Sequence, residues 1–519
     1  MPYANKRTRL AFCIKSVLLA GIAGALLVAP AAAADRAHTV ITANTGQVNT
    51  IDPIRSDYAQ TYDVVARLYS PLVTYDVQYN VIGDLASDYK VADDAKSIDF
   101  TLREAFFHSG NKVTAADVAY SFDRTKRLGI GTASFLALYD SAEVKDDTHL
   151  TIRLTQPSAL FLGGLTKIFV LDSKLVTENA GADDGQAWLA ANDAGSGPYR
   201  LASFDANNVV LEWSDTYWVP MEDRAPAIAM RRIDESATRR DEMLAGNVDI
   251  ANSITDRDFL ALRDQPGLGV SNGAKTTIDG IYFNTRTGPT ADVRVRQAIA
   301  LAYDYQGALK AIHQNRGEIG NGPLPSALAC RPDLPVAAQD TEKARQLLAD
   351  AGQSNLVLTL SYQPVFQDQV QMATLLQSNL KDIGVTLNLE PIAFPNYLER
   401  LKTPDQIPQM MLIADYSQFP DPGDFLAKIY MTDSIGTNRS GYSNPEFDAM
   451  MAAALVNPNA AERCEVYKQA QTLLEEQKVF MAMFQPDSQM IYRAQTMKDP
   501  QLDVPDPHYV PLTYRLQTP

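Results

Sequence analysis

The chain has 519 residues, of which 46% are hydrophobic and 21% charged, and a formal charge of −16. That excess of acid argues against nucleic acid or anionic lipid as a partner, and the apolar content is that of a packed protein rather than a disordered one. The length exceeds what one hydrophobic core serves, so two or three lobes are expected.

The first stretch, "MPYANKRTRLAFCIK", carries Lys6, Arg7, Arg9 and Lys15 ahead of the apolar "SVLLAGIAGALLV". "APAAAAD" then puts Ala32 and Ala34 at the small-residue positions of a cleavage site, so residues 1–34 read as a secretory signal peptide cut before Asp35. An uncleaved anchor is the competing reading, which Pro30 and the alanine run disfavour. A lipoprotein needs a cysteine directly after the apolar segment, whereas Cys13 precedes it. Cleavage removes four bases and no acid, which leaves a net charge of −20 on the exported chain. Only Cys330 and Cys464 remain in it, and their separation leaves open whether they pair.

In the mature chain "SIDFTLREAFF" alternates Ile98, Phe100 and Leu102 against Asp99, Thr101 and Arg103, a half-buried strand. Thr114 with Asp117 three residues on caps a helix over "TAADVAYSFDRTKR". "THLTIRLTQP" is a second alternating strand, and the Gly-Pro punctuation of "GSGPYRLASF" marks a lobe boundary near residue 190. A second boundary is expected near "IYFNTRTGP". Beyond it "DVRVRQAIALAYDYQGALKAI" and "DTEKARQLLADAG" read as amphipathic helices, the latter capped by Asp340 and stopped by Gly352.

The next segment carries the topology. "LVLTLSYQ" is a strand, "FQDQVQMATLLQSNLKDIG" a helix and "VTLNLEPI" a strand, which makes a β-α-β unit with parallel pairing. "QMMLIA" fits a further strand of that sheet, and Asp415 follows it at the rim where open α/β sheets hold ligands. A charge at the end of a buried strand costs about several kcal/mol unless compensated. Its partner is expected to be a bound solute, with an arginine elsewhere in the lobe as the alternative.

Enzymatic motifs find little support. The histidines 38, 108, 149, 313 and 508 show no i,i+4 pair for zinc, and no G-x-S-x-G elbow occurs. "SDYK" satisfies S-x-x-K at Ser87 and Lys90 but lacks the companion motifs of the penicillin-recognising enzymes.

In order along the chain, "IDPIRSDYAQTYDVVARLYSPLVTYD", "LASDYKVADDAKSIDFTLREAFFHSGNKVTAADVAYSFDR", "GSGPYRL", "LAGNVDI", "IYFNT", "DVRVRQAIALAYD", "EKARQLLADAG", "LKDIGV" and "GYSNPEFDAMM" resemble the landmarks of the bacterial extracellular solute-binding protein family 5. These are the periplasmic oligopeptide-, dipeptide- and nickel-binding proteins of ABC importers. The resemblance spans nearly the whole mature chain and departs from the family only in conservative turn changes, "FHSG" for "FHDG" and "GSGPY" for "GTGPY".

The resemblance implies an α/β fold of the type II-like, cluster C-like periplasmic binding kind, with two main lobes about a hinge cleft and an extra third lobe. Lobe I would comprise residues 35–74, 191–285 and 486–519, the extra lobe 75–190, and lobe II 286–485. The chain would cross between the main lobes near "IYFNTRTGP" and near "MFQPDSQMIY". Such a protein captures a peptide or other amine-bearing small solute between the lobes and delivers it to inner-membrane permease subunits with their ATPases. It acts as a monomer and needs no cofactor or metal. A secreted hydrolase, or a binder of a sugar, opine-like conjugate or metal chelate, stand as alternatives.

Peptide-binding relatives hold the ligand's α-ammonium with an aspartate in a segment similar to "ADYSQFPDP", which carries over to Asp415, with Tyr416 and Ser417 beside it. The arginine that dipeptide binders use for the ligand carboxylate should follow "LVLTLSYQ", yet "PVFQDQVQM" holds no basic residue. A longer peptide, an amino-acid conjugate or another amine is therefore open. Tyr282 and Asn284 on one hinge strand, Phe484 and Gln485 near the other, and Asn44 and Thr45 after the first strand are expected to face the solute, with hinge packing as their alternative.

Overall fold

A computed structural model describes residues 38–220, 222–273, 275–500, 509–511 and 514–517. The leader and its cleavage site lie outside these residues. Two sheets organise the molecule. One has seven strands in the order Gly269–Gly273, Ser488–Tyr492, Ile250–Ala251, Thr39–Asn44, Ala227–Arg232, Asn208–Trp213 and Tyr199–Asp205. The other has six, in the order Glu318–Ile319, Phe480–Gln485, Thr277–Phe283, Met410–Tyr416, Val357–Tyr362 and Thr386–Pro391.

Between Thr39–Asn44 and Tyr199–Asp205 the chain builds a separate four-stranded antiparallel sheet from Ala86–Val91, Ser97–Leu102, His149–Leu154 and Tyr139–Val144. Ile98, Phe100 and Leu102 point inward from Ser97–Leu102, as their alternation dictates, and meet Val118 and Phe122 of the helix Ala115–Leu128. Thr114 and Asp117 close that helix's capping box, with Asp117 accepting from the Thr114 amide at 2.9 Å. "GSGPY" ties this region back to the first sheet. A Cβ at Gly195 would stand 1.9 Å from the Leu68 carbonyl and one at Gly197 2.4 Å from that of Arg67, so backbone approach requires glycine at both.

The β-α-β unit forms as read. Val357–Tyr362 and Thr386–Pro391 pair in parallel across the helix Gln367–Asp382, and Met410–Tyr416 joins Val357–Tyr362 in parallel on its other side. Its remaining neighbour, Thr277–Phe283, runs antiparallel to it. That strand is buried almost throughout and lies wholly in the six-stranded sheet, so the chain leaves the seven-stranded sheet between Gly273 and Thr277. This is earlier than the boundary expected near residue 285. A run such as "TIDGIYF" announces a strand but not which sheet receives it. The return crossing falls between Gln485 and Ser488. Lys275 and Asp487, one on each crossing, form an ion pair at 3.3 Å.

Both faces of the six-stranded sheet are covered. One carries Leu358, Leu360, Met410, Leu412 and Met372, and the other Met411, Ile413, Tyr282, Tyr397 and Tyr430. Cys330 and Cys464 form a disulfide that ties the loop after Leu328 to the helix Ala460–Glu476, where Gln471 also donates to the Cys330 carbonyl at 2.7 Å. A cross-link closing so long a loop restricts the unfolded chain and stabilises by about 2–5 kcal/mol. Reduction is expected to lower the melting temperature of the wild-type protein, while a Cys330→Ser, Cys464→Ser double variant melts at that lower temperature with or without reductant. Scanning calorimetry in both redox conditions checks this.

Candidate functional site

A cavity is lined by Ser56, Asp57, Ala59, Tyr62 and Lys167 on one side and by Tyr416 and Gln418, at the end of a strand of the six-stranded sheet, on the other. Its first wall is set by Asp52, whose carboxylate caps the short turn Pro53–Arg55 by accepting from Ile54 N at 3.1 Å. Both oxygens of Asp52 also accept from the buried Arg124 guanidinium, at 3.2 and 2.7 Å, which pins the wall to the helix Ala115–Leu128. Asp57 takes Arg55 at 3.2 Å, and Lys167 places its ammonium 3.5 Å from the ring centroid of Tyr62. The opposite wall is the end of the strand Met410–Tyr416 and the turn after it. Burial raises the pKa of the Tyr416 phenol; the Gln418 side chain works against this, and the carboxylates of Asp415 and Asp57 reinforce it.

Asp415 itself finds an internal partner. Its side chain shares the face of Met411 and Ile413, where Arg439 donates to both of its oxygens, Nε at 3.1 Å and Nη2 at 3.2 Å. The pair is buried, with Asp415 7% exposed. Desolvation opposes the charge on Arg439, and Asp415 together with the nearby Tyr397 and Tyr282 phenols more than offsets it, so the guanidinium pKa is raised. Arg439 also lies over the Tyr397 ring at 5.7 Å. A bidentate guanidinium satisfies the charge that the sequence left in question, and it was the arginine alternative that it takes. "GTNRSGYSNP" gave no sign of this, because a contact across 24 residues depends on how the following loop folds back.

The other expected cleft residues divide. Tyr416 lines the cavity, and Asn44 and Thr45 stand half-exposed at the carboxyl end of the central strand Thr39–Asn44, where Asn44 accepts from Asn252 at 2.7 Å. Ser417 turns inward, donating to the Phe419 carbonyl at 2.7 Å and to Asp424 at 3.0 Å. Tyr282 packs on Phe480 with ring centroids 4.6 Å apart, and Asn284 ties its own turn to the Ile407 carbonyl at 3.0 Å. Phe484 stacks on His313, and Gln485 is buried, accepting from Ser326 N. Tyr282, on the strand Thr277–Phe283, and Asn284, just after it, are both buried. Ser56, Asp57, Tyr62, Lys167 and Gln418 were not singled out, although Ser56 to Tyr62 stand within "IDPIRSDYAQTYD".

The family description "Bacterial extracellular solute-binding proteins, family 5 Middle" matches residues 80–437. The chain belongs to this solute-binding family. The probable D,D-dipeptide-binding periplasmic protein DdpA of Escherichia coli K12 is 28% identical to it over 453 residues, covering 85% of this chain and 87% of that one. The peptide transport periplasmic protein SapA of Salmonella typhimurium is 26% identical, covering 83% and 84%. The periplasmic binding protein DppA from Helicobacter pylori, solved with the peptide STSA, superposes with a TM-score of 0.80 at 20% identity and covers 92% of this chain and 98% of that one. The architecture is thus that of the family 5 periplasmic binding proteins, a family of binding proteins rather than enzymes. Among the described residues no helix is long and apolar enough to cross a membrane.

Removing one partner of a buried ion pair leaves the other charge uncompensated and costs about 3–5 kcal/mol. Asp415→Asn in this family 5 protein is therefore expected to melt well below wild type without solute. Thermal melting of the solute-free variant checks this, and a melting temperature equal to wild type would remove the structural role of the pair.

Proposed function

We propose that this protein is the periplasmic solute-binding component of an ABC importer, exported with cleavage after Ala34. It captures a peptide or other amine-bearing small solute between its lobes and presents the closed complex to the permease as a monomer. The observation that carries this reading is the cavity whose walls come from different lobes, Asp57, Tyr62 and Lys167 facing Tyr416 and Gln418. A solute there touches both walls only when the lobes are closed, so it shifts the population toward the closed form by its difference in affinity for the two. The relatives' names, which include D,D-dipeptide binding and peptide transport, support a peptide as the solute. Tyr416, with Asn44 and Thr45 at the facing rim, is proposed to touch it.

Intact-mass measurement of exported protein is expected to show an N-terminus at Asp35 and no acyl group. Solute released from gently purified, then denatured protein is expected to give peptide masses, and adding such a peptide back should raise the melting temperature without being consumed. Tyr416→Ala is expected to weaken that stabilisation at least tenfold in peptide concentration. Turnover of the added peptide would instead identify a hydrolase.

A further inference from the structure

The turn that follows the strand Met410–Tyr416 sends one large side chain out of its own half of the molecule. Phe419 is 4% exposed, yet it takes no part in the apolar clusters that cover the six-stranded sheet. It clusters instead with Tyr75 and Tyr509 and packs against Phe135 and Leu160. Its ring meets that of Phe135 edge-on, with centroids 6.3 Å apart and planes at 64°. A Cβ at Gly163, in the short helix Phe161–Gly164, would stand 3.2 Å from Phe419 Cδ2 and 2.8 Å from the Tyr75 hydroxyl, so the glycine leaves room that the ring fills. Tyr75, Phe135, Leu160 and Gly163 all belong to the chain between the strands Thr39–Asn44 and Tyr199–Asp205, and Tyr509 to the C-terminal segment.

Ring and socket are each tied to the cavity. On the side of the ring, Ser417 donates to the Phe419 carbonyl and to Asp424, and the Gln418 amide donates to Asp424 at 3.0 Å. The turn is thereby fixed, and Phe419 moves as one piece with Tyr416 and Gln418, which line the cavity. On the side of the socket, Tyr62 of the opposite cavity wall donates to the Tyr509 carbonyl at 2.5 Å. Tyr75 meets Tyr509 edge-on at 6.4 Å between centroids and donates to the Gly163 carbonyl at 3.3 Å.

Phe419 is therefore buried only while the two cavity walls face one another. Parting them returns the ring and its socket to water, which costs free energy in proportion to the apolar area exposed. The backbone bond from Ala159 N to the Leu455 carbonyl, at 2.8 Å, joins the same two regions, but exchange with water leaves such a bond little net weight. Lys275 with Asp487 also joins the two halves, as does Arg316 with Asp256. Both of these pairs lie at the crossings, where Gly317 N donates to Asp487 at 2.9 Å.

We propose that Phe419 is a latch: seated in the socket of Tyr75, Phe135, Gly163 and Tyr509, it holds the cavity walls together before solute arrives and positions Tyr416 and Gln418 to receive it. By raising the fraction of empty protein that is already closed, the latch raises the apparent affinity for the solute. The inference rests on the solute-binding reading above and not on the solute being a peptide.

The test takes the full mature protein, unfolded in guanidinium with its disulfide intact to strip it of solute and then refolded. Small-angle X-ray scattering compares wild type with Phe419→Ala, Phe419→Leu and Gly163→Leu. Wild type is expected to be the most compact. Phe419→Ala lacks the ring, and Gly163→Leu fills the socket from the opposite wall while Phe419 itself is kept, so both are expected to show a larger radius of gyration. Phe419→Leu should fall between them and wild type, a graded response that a loss of local packing alone would not give.

With an enzymatic digest of casein as probe, the concentration giving half the maximal rise in melting temperature is expected to increase about tenfold or more in Phe419→Ala, the ratio set by burial of one phenyl ring. Equal radii for solute-free wild type and Phe419→Ala overturn the latch, as does a Gly163→Leu protein as compact as wild type. Should one variant fail to fold, the other decides. A digest that stabilises neither wild type nor variants overturns the peptide reading, while the solute-free radii still decide the latch.

Discussion

The strands Thr277–Phe283 and Phe480–Gln485 lie side by side in the six-stranded sheet, while Gly269–Gly273 and Ser488–Tyr492, their neighbours in the chain, lie side by side in the seven-stranded one. Each lobe therefore contributes one antiparallel ladder to a single double-stranded ribbon, interrupted only at the short crossings. The ladders resist shear and separation, because alternate residues along each antiparallel pair exchange backbone hydrogen bonds. The interruptions leave a few residues free to absorb a change of angle. Lys275 and Asp487 clasp the crossings where that freedom is greatest. Ser56, Asp57 and Tyr62 stand opposite Tyr416 and Gln418 beside this ribbon.

The same ribbon decides how charge is distributed in the second lobe. Alternation along the paired strands sends Asp415 to the face packed by Tyr282, Tyr397 and Phe480, and Asp279 to the opposite face. On the first face the loop after the helix Pro422–Tyr430 returns Arg439 within bidentate reach, so the carboxylate becomes part of the core. On the second face Asp279 is buried, and burial with the nearby Asp368 charge raises its pKa. Two aspartates on adjacent strands thus differ in chemistry through the side of the sheet they occupy.

Much of the local structure follows from short-range rules. The capping box of Thr114 and Asp117, the Asp340 cap, the strand "SIDFTL" and the β-α-β unit around the helix Gln367–Asp382 all form where hydrophobic period and cap chemistry place them. These features depend on residues within a few positions of one another, and the free energies involved act whatever the rest of the chain does. The ordered family blocks likewise carried the class of fold, since the glycines of "GSGPY" and the caps recur for reasons of backbone geometry.

What lay beyond the sequence were contacts between distant segments. Nothing near Asp415 indicates Arg439, nothing in "TIDGIYF" tells which sheet takes that strand, and the spacing of Cys330 and Cys464 is silent on their disulfide. The cavity wall at Ser56, Asp57 and Lys167 is assembled by a fold-back that no local pattern encodes. Sequence by itself determined the elements, the acidic composition and the family, because hydrophobic period, caps and turns act over a few residues. Tertiary structure alone decided that the buried carboxylate of Asp415 is paired with Arg439, because desolvation and charge compensation depend on groups that meet only when the chain has folded back on itself.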